Sequence, residues 1–396
     1  GFITPSVPFA ERWFIKMKQW KKSGGRWSAL LMAALLTASA LMGCSGGGES
    51  SVSGSSASNT ESQAVSESGS QAKTDSESDG QTVSESEPES SEPVEVRIAA
   101  LKGPTAMGMV KFMDDVDQQA VTDENYTFQI VASPDEVTPQ IAQGNVDIAA
   151  VPANLASILY NNTDGAVQVL TVNTLGVLYL VENGDTVQSP ADLKGKTIYA
   201  SGKGSTPEYA LNYVLEQNGL VPGTDVTIEW KSEHSECVAA ITADSSGIAM
   251  LPQPFVTTAQ TKNPSLRVTL DLTEEWEKVQ ADGEEKSTMI TGATVVRTEF
   301  AQEHPKAVEN FLKHYQESVE YVNGNTEEAA KLVGNYEIVT EEVALKALPE
   351  CNIVYLAGEE MKEKLSGYLS VLNEQNPQSI GGTLPGDDFY YIESEE

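Results

Sequence analysis

Two stretches of this 396-residue chain repeat each other at an offset of one hundred residues. Ile98-Ala99-Ala100-Leu101-Lys102-Gly103-Pro104-Thr105 reads like Ile198-Tyr199-Ala200-Ser201-Gly202-Lys203-Gly204-Ser205. Thr127-Phe128-Gln129-Ile130 matches Thr227-Ile228-Glu229-Trp230 in strand character, and Asp147-Ile148-Ala149-Ala150-Val151-Pro152 answers Gly247-Ile248-Ala249-Met250-Leu251-Pro252. The first pair is a short apolar strand, a small polar loop and a helix start. One such pattern is common in α/β chains; three in register point to duplication. Two similar α/β lobes leave a cleft between them. In open α/β sheets a ligand sits beyond the carboxyl ends of the strands, where helix N-termini point. That geometry suits a grip on a small molecule.

The front of the chain is of another kind. Residues 1–16 precede the first methionine and read as an upstream extension. From Met17, Lys18, Lys21, Lys22 and Arg26 form a positive segment, and Ala29 to Leu41 carries no charge. That run falls short of the roughly 20 residues a membrane span needs. It ends in Leu41-Met42-Gly43-Cys44, which looks like a bacterial lipobox. The chemistry needs a small residue before the cut, here Gly43, and a thiol to alkylate, here Cys44. Residues 17–43 are therefore expected to be a signal peptide, and Cys44 the lipidated residue. Ser45 to Pro93 is rich in Ser, Gly, Glu and Gln. Such a segment buries too little apolar surface to offset chain entropy. As a flexible coil it would reach roughly 40 Å. The expected location is extracytoplasmic, anchored to the outer face of the cell membrane through that tether.

Net charge is −33. Residues 1–43 hold six basic residues and one acid, so the remainder stands at −38. Phosphate backbones would be repelled, which argues against a nucleic-acid partner. Cys237 and Cys351 fall in different expected lobes, and a disulfide between them would pin the cleft, so two free, buried thiols are expected. His234, His304 and His314 show no metal-ligand spacing, so neither a metal nor a cofactor is implied.

Strand and helix signals alternate along the body, as parallel α/β layers require. Ser133-Pro134-Asp135-Glu136 reads as a helix start with a capping box, and Ser205-Thr206-Pro207-Glu208 repeats that chemistry. Helical spacing groups Ala210, Leu211, Val214 and Leu215, and also Met109, Val110, Met113 and Val116, the latter as core. Val167 to Val181 reads as one strand leaving lobe one for lobe two, with a hinge near Asn173 to Gly176. A return crossing is expected near Thr288 to Thr294. Lobe one would then be 94–174 plus 290–396, and lobe two 175–289. In the tail, Ala307, Phe311, Leu312 and Tyr315 make a helix face directed at lobe one. Asn376 to Glu396 is expected to wrap loosely.

The candidate ligand contacts lie in the paired loops. Gly103-Pro104-Thr105 and Ser201-Gly202-Lys203-Gly204-Ser205-Thr206 place backbone N–H groups and hydroxyls at helix N-termini, which favours an anionic or hydrogen-bond-accepting group. Lys102 and Lys203 either add charge to the cleft or point away from it. Asn154 and Gln253 follow the second strand pair; Asn154 either reaches the cleft or caps the next helix. Thr174 joins them from the hinge. Tyr179, Tyr199, Tyr209 and Phe255 suit stacking on a flat ligand, although core packing is the ordinary role of each. No loop here carries an Arg for bidentate carboxylate binding, and none matches a P-loop.

Gly144-Asn145-Val146-Asp147-Ile148-Ala149 and Ser189-Pro190-Ala191-Asp192-Leu193-Lys194-Gly195-Lys196-Thr197-Ile198, with the paired strand–loop–helix units, carry a family resemblance. The body, about residues 94–370, resembles the solute-binding proteins of bacterial ABC importers, more narrowly the sulfonate/nitrate/taurine and thiamine-pyrimidine-precursor binding group. The resemblance implies a type-II periplasmic-binding fold, a monomer that closes on a small polar or anionic organic solute and docks on ABC permease subunits, with no catalytic step. Two alternatives stay open. One is an enzyme on the same fold, a pyrimidine synthase or a dehydratase. Glu208 and Asp147 are the acids it would draw on, but capping or solvation accounts for both, and the cysteine-rich motif of the synthases is missing. The other is a surface adhesion or sensory lipoprotein.

Overall fold

In the computed structural model, which describes residues 92–280 and 287–393, the repeated segments become equivalent strands. The expected extension, signal peptide, Cys44 and the tether up to residue 91 lie outside the described residues. The strands in chain order are β1 (Glu95–Leu101), β2 (Asn125–Val131), β3 (Ile148–Pro152), β4 (Val167–Leu175), β5 (Leu178–Glu182), β6 (Thr197–Ser201), β7 (Thr227–Lys231), β8 (Ile248–Pro252), β9 (Arg267–Asp271), β10 (Ile290–Arg297) and β11 (Ile353–Leu356). They form two sheets, ordered β11-β4-β10-β3-β1-β2 and β7-β6-β8-β5-β9.

The hundred-residue offset survives in the pairing itself. Ile98 lies opposite Phe128 and Ile148; Ile198 lies opposite Ile228 and Ile248. A one-residue slip in either sheet would turn every side chain to the wrong face. Strands β3 and β8 are apolar on both faces, and Ile148 through Val151 and Ile248 through Leu251 are all buried, as expected where helices cover a sheet on both sides.

Each sheet is completed by a strand the chain supplies just after leaving the other. β5 runs antiparallel between β8 and β9, and β10 runs antiparallel between β3 and β4. The sequence reads Val167 to Val181 as one strand; the structure breaks it at Gly176-Val177, and the two pieces enter different sheets. A Cβ on Gly176 would lie 2.0 Å from Thr273 Oγ1, so this crossing accepts no side chain there.

The helices mostly follow their sequence signals. Met107, Met109 and Met113 are core, packed with Phe112, Phe311 and Tyr315. Full burial of each such side chain contributes about 1.5–3 kcal/mol. The box at Ser133 forms, with Glu136 accepting from the Ser133 backbone N–H at 3.0 Å. The predicted repeat of that box at Ser205 does not. Ser205 Oγ donates to the Gly202 carbonyl at 2.8 Å, and Glu208 accepts from Gly204 N instead. Ala307, Phe311, Leu312 and Tyr315 are buried on the helix Pro305–Gly324, within the first core.

The end of the chain departs from expectation. Residues 376–391 are tightly held. Ile380 and Phe389 are fully buried, and Tyr391 N donates to Val169 O at 2.9 Å, along the strand β4. The helix Gly358–Gln375 touches both halves: it packs on β4, while Tyr368 sits 5.4 Å from the Trp276 ring, which itself lies 4.3 Å from Tyr213. Cys237 and Cys351 are free and buried.

Asp147 is neither a cap nor solvated, as the sequence reading had it. It is fully buried. Its Oδ2 accepts from Arg97 N at 3.0 Å and Arg97 Nε at 2.8 Å, while Oδ1 accepts from Arg97 Nη2 at 2.7 Å and Arg297 Nη2 at 2.8 Å. Burial opposes its ionisation, but the hydrogen bonds from Arg97 and Arg297 more than offset that and hold the carboxyl below its ordinary range. This group thus stabilises the fold above the usual carboxylate pKa, and its contribution fades as pH falls through the depressed native value. Asp147→Asn should cost about 2–4 kcal/mol in urea unfolding, somewhat under a fully buried pair because Arg97 keeps water contact.

Candidate functional site

The carboxyl ends of β1, β3, β6 and β8 converge on a cavity of about 130 Å³. Its wall draws on both sheets: Leu101 to Thr105, Pro152 and Thr174 from the first, Leu178, Ser201, Gly202 and Pro252 from the second. The loops after β2 and β7 close it, with Ala132 to Pro134 on one side and Ser232 to His234 on the other. Several helices open towards this space, including Pro134–Ala142, Thr206–Gln217 and His234–Ala243. Their N-terminal partial charges favour electron-rich groups there.

Glycine geometry shapes the two main loops. Gly103 has φ 141°, and its carbonyl accepts from Ala106 and Met107 N–H groups. Gly202 has φ 83°, and a Cβ on it would meet Pro207 Cγ at 2.8 Å. Both positions therefore require glycine. Thr105 Oγ1 donates back to Leu101 O at 2.6 Å, which fixes its hydroxyl on the cavity wall.

Of the residues named from sequence, Lys102, Gly103, Pro104, Thr105, Thr174, Ser201, Gly202 and Ser205 line the cavity. Lys203, Gly204, Thr206, Asn154 and Gln253 do not. Lys203 is exposed. Asn154 is fully buried and spends its amide on structure: Nδ2 donates to Ser379 O at 2.9 Å, and Oδ1 accepts from Thr206 Oγ1 at 3.1 Å. Gln253 Oε1 accepts from Thr257 N at 3.3 Å and Oγ1 at 2.9 Å, on the first turn of the helix Phe255–Lys262. Among the aromatics weighed for stacking, only Phe255 reaches the wall. Tyr199 instead donates to Asp244 Oδ2 at 3.0 Å.

The sequence reading missed the third pair of loops. Ser133-Pro134 and Glu233-His234 occupy equivalent positions one hundred residues apart, after β2 and β7. The hundred-residue offset is the signal in the sequence that marks this pair. His234 Nδ1 lies 2.5 Å from Ser201 Oγ, and its ring packs 5.1 Å from Phe255. Crowding by protein atoms pushes its pKa down to about 4, so the ring is neutral. Burial also pushes the nearby Cys237 thiol up to about 11, so it stays protonated.

The comparisons with known proteins fit this geometry. Residues 106–340, more than half of the chain, match the family described as ABC transporter, phosphonate, periplasmic substrate-binding protein. The chain belongs to this family. No curated protein matches it in sequence. Solved structures of these binding proteins share the fold. An ABC transporter protein of Parabacteroides distasonis aligns with TM-score 0.61 at 23% identity, covering 77% of this chain and 99% of that one. The periplasmic aliphatic sulphonate binding protein of Escherichia coli aligns with TM-score 0.59 at 15% identity, over 77% and 96%. The periplasmic nitrate-binding protein of Synechocystis PCC 6803 aligns with TM-score 0.55 at 14% identity, over 72% and 82%. The type-II periplasmic-binding architecture expected from the sequence is the one observed. Among the described residues no helix is long and apolar enough to cross a membrane.

As pH falls from about 6.5 towards 4, an unfolded chain takes up a proton that the native His234 ring refuses, so this group subtracts stability in that window. Imidazole NMR should show His234 still neutral at pH 5, where an ordinary histidine is charged.

Proposed function

We propose that this chain is the solute-binding lipoprotein of an ABC importer. It is held on the outer face of the cell membrane by lipid on Cys44, with residues 45–93 as tether. It captures a small polar or anionic organic solute between two lobes, 94–174 with 290–396 and 175–289, and passes it to permease subunits as a monomer. The observation that carries this reading is a cavity walled by equivalent loops from both sheets. The family, and the sulphonate- and nitrate-binding proteins among the similar structures, support a small oxygen-rich solute. Lys102, Gly103, Pro104 and Thr105 would contact it from one side, Ser201, Gly202 and Ser205 from the other.

The mechanism is a population shift. A solute touching both loop sets binds the closed arrangement more tightly than the open one, and that difference alone moves the equilibrium. The closed form is then the one the permease accepts. No bond in the solute needs to change.

A thermal-shift screen of the 94–396 body against sulfonates, nitrate, pyrimidines and small carboxylates tests the receptor reading. A true solute at about one hundred times its Kd adds roughly 2.7 kcal/mol of stability. Loss of that response in a folded Ser205→Ala variant would support placing the loop in the site. A melting temperature unmoved by every class, or turnover of a binding solute, would overturn the reading. For the anchor, cells fed labelled palmitate should transfer label to the wild-type chain and not to Cys44→Ala.

A further inference from the structure

The cavity wall is nearly free of net charge. Among the described residues Lys102 and Glu233 are its only formally charged ones, one of each sign, and both are exposed; no described arginine lines it. The wall is largely proline, leucine, valine and phenylalanine carbon, broken by serine and threonine hydroxyls, Thr291 among them, and by the His234 imidazole. The chain as a whole carries −33, a field that opposes anions approaching from solution. A doubly charged head group entering this space would shed its water and meet Lys102 alone as a cation, exposed at the rim and balanced by Glu233. With the hydroxyl protons of Thr105, Thr174 and Ser205 spent on protein acceptors, the unpartnered Thr291 hydroxyl, loop amides and a neutral ring can satisfy one dispersed charge, or none.

Two contacts hold the His234 ring in place. Ser201 Oγ holds Nδ1 at 2.5 Å, and Phe255 packs against the ring. With Nδ1 engaged, Nε2 is the ring nitrogen without a protein hydrogen-bond partner among the described residues. A cavity of about 130 Å³ is close to the size that holds a benzene molecule in a protein core, so one head group and a short apolar body fill it.

Resting on the receptor reading above, we infer that His234, oriented by Ser201, is the specificity-determining contact of the cavity, and that the site selects small solutes carrying at most one negative charge. The phosphonate of the family description is then a poor fit in its doubly ionised form. His234 stays neutral because protein atoms crowd it, so it adds no charge of its own to the wall.

Three probes of nearly equal shape separate charge from size: dimethyl sulfone, methanesulfonate and methylphosphonate, with charges of zero, one and two at alkaline pH. Thermal shift and calorimetry on the 94–396 body should find methanesulfonate or dimethyl sulfone bound at least about tenfold more tightly than methylphosphonate, a difference of about 1.4 kcal/mol. His234→Phe should lose that binding and His234→Gln should retain most of it, since the amide keeps a neutral hydrogen-bonding group. His234→Arg should turn the preference towards methylphosphonate. Equal or tighter binding of methylphosphonate by the wild type overturns the inference and leaves the receptor reading standing. So does an unchanged probe order in a folded His234→Phe. Silence from all three probes in a protein that also answers nothing in the wider screen overturns the receptor reading, and this inference falls with it.

Discussion

One buried carboxylate ties together the parts of the first sheet that the chain reaches at very different times. Asp147 stands at the entrance to β3, Arg97 lies in β1, and Arg297 ends β10, the strand that returns after the whole second sheet has been built. The backbone repeats the link, since Asp147 N donates to Arg97 O and Arg297 N donates to Asp147 O. Three neighbouring strands are thus fixed at the end away from the cavity. Their other ends are left to carry the loops that form it. An unpaired charge at this depth would be costly, so the returning strand has one acceptable position.

The second sheet uses a related device at a different place. Glu182 is buried at the end of β5 and pairs with Arg267 at 2.8 Å, with Thr186 and Val187 amides completing its shell. Here too the pair fixes a strand that crosses from one sheet to the other. The duplication conserves the strand order and register, while each copy has found its own ionic anchor. Gly247 stands where the offset would place a second Asp147. What is duplicated is the pattern of apolar strands and small loops, which sheet packing and the cavity both need.

That division explains what the sequence made legible. The period-two and strand–loop–helix patterns are local, and an identical register at a hundred-residue offset follows from matching apolar positions. The box at Ser133 was readable because its four residues are consecutive. The failures came from partners far away in sequence. Asn154 faces Ser379 across 225 residues, a pairing no local pattern announces. Ser205 resembles a capping serine, but Gly202 three residues earlier offers its carbonyl first. Among the described residues the His234 ring has Ser201 as its hydrogen-bond partner, and the two become neighbours only when β6 and the helix start after β7 meet. The tail beyond Asn376 looked loose because its composition is polar. Ile380, Phe389 and Tyr390 are enough to seat it.

The helix Gly358–Gln375 has a mechanical meaning beyond packing. Two lobes joined only by strand crossings behave as a clamshell, free to swing through a wide angle. This helix adds a third load path, with Tyr368 against Trp276 on one side and the β4 region on the other. Under the proposed receptor reading, opening the cleft would either shear that aromatic contact or carry the helix along with one lobe. Such a linkage would trade amplitude for definition, giving a short stroke with resting positions set by aromatic packing as much as by a solute.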